Sequence, residues 1–111
     1  MTLALNVRLD KSGYLIMNRT NLTPLFHLGR IVATPGALDV LQRAGVFPFQ
    51  LLVGHQCGDG GVLCAEDRAA NAGAIVAGGR ILSVYEVGAE KIYVITEADR
   101  ASTTVLLASE Y

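Results

Sequence analysis

Between positions 55 and 68 the chain gathers His55, Cys57, Asp59, Cys64, Glu66, Asp67 and Arg68. Imidazole and thiols are zinc ligands, but a structural zinc site needs about four of them, commonly in closely spaced cysteine pairs. Here six residues separate Cys57 from Cys64, and His55 is the sole histidine nearby, so no metal site is expected. A Cys–His nucleophile is no better supported. Cys64 precedes a helical pattern, where the dipole would favour a thiolate, yet such cysteines usually behave as small buried hydrophobes. We therefore expect Cys64 in the core.

The carboxylates are more suggestive. Glu66-Asp67-Arg68 and Glu97-x-Asp99-Arg100 each set two carboxylates beside a guanidinium. Brought together with Asp59, they would offer the oxygen ligands that Mg²⁺ prefers, and a small metal-dependent hydrolase or nuclease would follow. The simpler reading is structural. Glu66 and Asp67 suit the first turn of a helix, Asp99 suits a turn, and both arginines can pair across the fold. Such ion pairs are common. His55, Asp59, Glu66, Asp67, Arg68, Glu97, Asp99 and Arg100 form the candidate surface, with no catalytic role assigned and no cofactor expected.

Other chemistries fail locally. No G-x-S-x-G is present, and Ser102, Thr103 and Thr104 lack an adjacent base. Gly58-x-Gly60-Gly61 follows a helical segment and lacks the lysine of a phosphate-binding loop. The helix after it has Glu66 and Asp67 where an anion would bind.

These residues must be positioned by a small fold. Leu3, Leu5, Val7 and Leu9 alternate with polar neighbours, and Lys11-Ser12-Gly13 is a turn, so residues 2–17 read as an N-terminal hairpin. Asn18 to Pro24 reads as a loop. Arg30-Ile31-Val32-Ala33 is short and β-branched. Thr34-Pro35 then places an N-cap before a helix-starting proline, and Gly45 stands at the C′ position, predicting a helix over 35–44. A second helix starts at Pro48 and ends at Gly54; a third, rich in alanine, covers 65–77. Runs over 80–87, 91–97 and 103–107 predict a three-stranded antiparallel meander. The expected class is α+β: about three short helices on that meander, with residues 1–27 as an arm and 28–111 as the domain.

The two short helices around Gly45 are spaced like a helix-turn-helix. The second carries Phe49, Gln50, Leu51, Leu52 and Val53, with one amide and no charge, so it fails as a recognition helix. The balance of 9 Lys+Arg against 10 Asp+Glu also argues against nucleic acid. Disorder is excluded by 51% apolar and 17% charged residues. The longest uncharged run, 44–58, is too short and too polar for a membrane span. With no signal sequence visible and two cysteines, a cytoplasmic protein is expected.

From Leu28 onward, three blocks resemble a family of small uncharacterised proteins encoded on plasmids and other mobile elements. They are Gly29–Leu38 (GRIVATPGAL), His55–Asn71 (HQCGDGGVLCAEDRAAN) and Ile95–Tyr111 (ITEADRASTTVLLASEY). The family's tryptophan after G-D is Gly60 here, and its arginine before the histidine is Gly54. The resemblance implies a setting, possession by a mobile element such as an integron cassette, and no reaction. Together with the composition it suggests a non-catalytic module that binds a host or element-encoded protein. Charge is also uneven: residues 1–43 hold 5 basic and 2 acidic groups, and 59–100 hold 4 and 7. Opposite halves that cover each other between copies predict a homo-oligomer, a dimer in the simplest case.

Overall fold

A computed structural model describes the backbone of residues 4–9 and 15–20, and residues 23–111 with their side chains. Its order is β1 (Ala4–Leu9), β2 (Leu15–Thr20), β3 (Arg30–Ala33), α1 (Pro35–Ala44), α2 (Pro48–Gln56), α3 (Ala65–Ala77), β4 (Ile81–Val87), β5 (Glu90–Thr96), β6 (Ser102–Leu107) and a 3₁₀ turn, Ala108–Glu110. The class is α+β, with three α-helices among the described residues.

The expected hairpin is present as β1 antiparallel to β2. Its turn, Lys11-Ser12-Gly13, lies outside the described residues. β2 runs on through Asn18–Thr20, where a loop was expected, because these residues face Asn6, Leu5 and Ala4 in register.

The main sheet departs from expectation. It has four strands in the order β3-β6-β5-β4, not three, and it is mixed. β4, β5 and β6 form the antiparallel meander, and β3 joins β6 in parallel, with Ile31 opposite Thr103. Gly29 permits this. At φ 64°, it passes so near the β5–β6 turn that a Cβ would lie 2.4 Å from the Arg100 carbonyl oxygen. The N–H of Arg30 then donates to Ala101 O at 2.9 Å, and that of Thr34 to Val105 O at 3.0 Å.

Local chemistry explains the helices. The Thr34 hydroxyl accepts from Ala37 N–H at 3.1 Å and caps α1, and Gly45 closes it. Removing such a cap costs about 1 kcal/mol. α2 passes through Gly54 and ends at Gln56, two residues beyond expectation. A helical glycine costs only about 1 kcal/mol, and the extension brings His55 into the helix, where it is buried. α3 has no buried residue, and Val76 is 89% exposed. It is tied to the sheet edge by Asn71, whose amide bonds both backbone groups of Leu82.

Strand alternation sets the core. Ile81, Tyr85 and Val87 on β4, Ile92 and Val94 on β5, and Val105 on β6 point to one face. Ala37 and Leu41 of α1, and Leu51 and Leu52 of α2, are buried with the sheet residues in this core. Among the described residues no helix is long and apolar enough to cross a membrane.

Candidate functional site

Three hydroxyls occupy inward positions of the sheet: Ser83 on β4, Thr96 on β5 and Thr103 on β6, each no more than 1% exposed. A buried hydroxyl needs partners, since leaving it unpaired costs about 1–3 kcal/mol. His55, fully buried near the end of α2, supplies them. Its Nδ1 lies 2.6 Å from Ser83 Oγ and its Nε2 2.8 Å from Thr96 Oγ1. Thr96 Oγ1 is 2.7 Å from Thr103 Oγ1, which is 2.7 Å from the Leu28 carbonyl oxygen.

The proton positions follow from the far end. A carbonyl only accepts, so Thr103 donates to Leu28 and must accept from Thr96. Thr96 then accepts from His55 Nε2–H, which leaves Nδ1 to accept from Ser83. The imidazole is thus the neutral Nε2–H tautomer. Burial agrees, pushing its pKa down from 6.5 to about 4.

Residues 25–28 close this site. Leu25 N–H donates to Gln56 O at 2.9 Å, and the Gln56 amide donates to Phe26 O at 2.9 Å. The Phe26 and His55 rings meet edge-on, with centroids 5.2 Å apart. Arg100 covers Phe26 from outside, its guanidinium carbon 5.6 Å from the ring centre.

Ser83 and His55 have the spacing of a nucleophile and its general base. Their surroundings oppose that role. No substrate reaches a serine 1% exposed. The partner of the second ring nitrogen is a neutral threonine, which cannot stabilise an imidazolium as a carboxylate does. A histidine with its pKa near 4 is also a weak base at neutral pH. The network is architectural.

The charged candidates divide similarly. Arg68 donates to three backbone carbonyls, those of Leu63, Asp59 and Gly61, and so clamps the loop before α3. That loop docks on β4 so closely that a Cβ at Gly61 would meet the Val84 oxygen at 1.9 Å. Asp59 is 6% exposed, and its carboxylate accepts from Gly61 N–H at 3.1 Å. Tyr85, buried beside Asp59 and Ser83, completes no hydrogen bond of normal geometry among the described residues; burial and the Asp59 charge push its pKa well above the tyrosine range.

Arg100 is likewise a clamp. From a left-handed φ of 60° it reaches the carbonyls of Ala74, Gly79, Glu97 and Ala98, joining the end of α3 to the β5–β6 turn. Asp99 accepts from Ala101 N–H at 2.9 Å, as a turn aspartate does. The arginines expected to pair with carboxylates bind carbonyls instead.

The carboxylates do not converge. Glu66 and Asp67 are exposed on the first turn of α3, whereas Glu97 and Asp99 lie at the β5–β6 turn. No three His, Cys, Asp or Glu among the described residues are grouped so as to hold a metal. Cys64 is exposed at the N-cap of α3, correcting its expected burial, because the helix that it opens buries none of its residues. Cys57 is partly buried, which raises its pKa.

One cluster was missed by the sequence reading. On the sheet face opposite the core, Leu82, Val84, Tyr93 and Leu106 are partly exposed. The chain end folds back so that the Tyr111 ring meets Tyr93 edge-on, with centroids 5.7 Å apart. Arg80 lies over Tyr111 at 5.3 Å and donates to its hydroxyl at 2.5 Å, while Glu97 stands 3.6 Å from Arg80 Nε. Arg80, Tyr93 and Tyr111, with Leu82 and Ile95, line a cavity of about 350 Å³. The signal in the sequence was Leu82, Tyr93, Ile95 and Leu106 on the outward phase of strands whose inward phase was already apolar.

No family model matches the chain, and no curated protein or solved structure was found to be similar to it.

Proposed function

We propose that this protein is a non-catalytic binding module acting on another protein, as an accessory factor of a mobile element. The observation that carries the reading is the Arg80–Tyr93–Tyr111 cluster around its apolar cavity. Tyrosine and arginine dominate the energetics of protein interfaces, where they anchor in pockets and exclude water. Arg68 and Arg100 spend their donors on backbone carbonyls, but Arg80 sits half-exposed between a phenol and a carboxylate. The partner that suits this site inserts an apolar side chain between Leu82 and Ile95 and offers an acceptor to Arg80. Its source is the host or the element itself; a host restriction enzyme fits the setting that the resemblance implies.

A photoreactive amino acid at position 111 tests this in cells, with the same group at 76 as control, since Val76 is 89% exposed on α3. The reading predicts a discrete crosslinked protein from position 111 that disappears in an Arg80→Glu, Tyr93→Ala background. Equal labelling from both positions would refute it.

A further inference from the structure

We propose that two copies of the chain associate about a two-fold axis through the corner between α1 and α2, with Phe49 of each filling a cavity of the other. A two-fold interface uses one patch on both copies, so the patch must carry a projection and a matching recess. This corner carries both. Its recess holds about 430 Å³ and is lined by Leu38, Leu41, Val46, Phe47 and Pro48, with Gln42 as the polar group. Its projection is Phe49, 60% exposed on the first turn of α2 and stacked on Phe47, 64% exposed, at 6.0 Å.

The adjoining charges are self-complementary. Asp39 and Arg43 on α1 pair at 3.0 Å within one helix, and both side chains are exposed. When α1 meets its copy antiparallel, Asp39 of one faces Arg43 of the other, so each anion gains a second cation. Like charges would meet if the copies were parallel, and this selects the antiparallel register. Nothing in this arrangement uses the opposed basic and acidic segments of the sequence. The rest of the patch, residues 44–58, carries no charge that association would strip of water.

Size sets the strength. An aromatic side chain buries about 150–250 Å², so two rings already partly covered supply well under the about 800 Å² per partner of a standard interface. The exposed flank of α1, with Leu38, extends the contact, and a weak dimer, on the order of micromolar affinity, is expected. This surface is separate from the Arg80–Tyr111 cluster, and neither proposal depends on the other.

Sedimentation of the full chain from low micromolar to several hundred micromolar provides the test. The native chain should pass from monomer to dimer. Phe49→Asp should weaken dimerisation by at least about 100-fold, with circular dichroism unchanged, and with melting unchanged at concentrations where both chains are monomers, because the ring is exposed. Asp39→Arg should also weaken it, and adding Arg43→Asp should restore it. A native chain that stays monomeric throughout overturns the proposal, as does a Phe49→Asp variant that dimerises normally. Loss on Phe49→Asp with no effect of Asp39→Arg overturns the antiparallel register. Crosslinking from position 111 should survive Phe49→Asp, so failure of the two proposals can be told apart.

Discussion

The interior behind His55 and the corner around Phe49 reverse the usual placement of chemistry. Ser83, His55, Thr96 and Thr103 are sealed where no ligand reaches, while Phe47 and Phe49 stand in water. The difference shows what each kind of side chain does here. Directional hydrogen bonds are strongest and least forgiving in a low-dielectric interior, and there they join α2, β4, β5, β6 and the Leu28 carbonyl into one arrangement. Apolar contact is undirected and gains most where water can still be expelled, at the surface. The polar cluster holds the scaffold, and the exposed apolar and tyrosine-rich surfaces are left for partners.

Replacing the interior link should have the largest effect. His55→Leu removes both ring nitrogens, leaving Ser83 without its acceptor and Thr96 without its donor, so urea unfolding should show a loss of about 3 kcal/mol. That is a large share of a stability of about 5–15 kcal/mol. Loss below about 1 kcal/mol would mean that the network contributes little to holding the sheet.

Acid should act through the same group. His55 titrates near 6.5 when unfolded and near 4 when folded. Between those values the unfolded chain binds the extra proton, so this contribution is complete above pH 6.5 and is lost as pH falls toward 4. The full effect is about 3 kcal/mol. Urea midpoints measured across that window should fall for the native chain, and His55→Gln should remove this part of the slope.

Tyr85→Phe gives a smaller and more discriminating result. Among the described residues the hydroxyl is buried without a well-formed hydrogen bond, so deleting it should cost less than about 1 kcal/mol, because the relieved desolvation offsets what is lost. At the exterior, Phe49→Asp and Tyr93→Ala should shift the melting midpoint least, within about 0.5 kcal/mol for an exposed position such as Phe49. A large loss there would place these side chains among the scaffold residues and weaken the contrast.

What the sequence disclosed follows from the range of the forces involved. α1 was legible from Thr34, Pro35 and Gly45, because capping is decided within a few residues. α3 and the meander were legible for similar local reasons. The pairing of β3 with β6 was not, since Ile31 and Thr103 lie far apart in the chain and no local pattern links them. His55 was singled out early, but for metal or nucleophilic chemistry, and its real partners were overlooked. The signal was present: Ser83, Thr96 and Thr103 fall on the inward phase of alternating strands, and each needs a hydrogen-bond partner. His55 lies in the uncharged helical segment and can donate and accept at once. The arginines misled because guanidinium suggests an anion, whereas Arg68 and Arg100 bind carbonyls that only the folded loops present.

The most direct test of the sealed, architectural interior is a ¹⁵N NMR titration of the His55 imidazole in the native chain. Our account predicts a neutral Nε2–H ring whose signals stay constant from pH 8 down to about 5. A midpoint near 6.5, or an Nδ1–H tautomer, would show an open or differently bonded histidine and would contradict it.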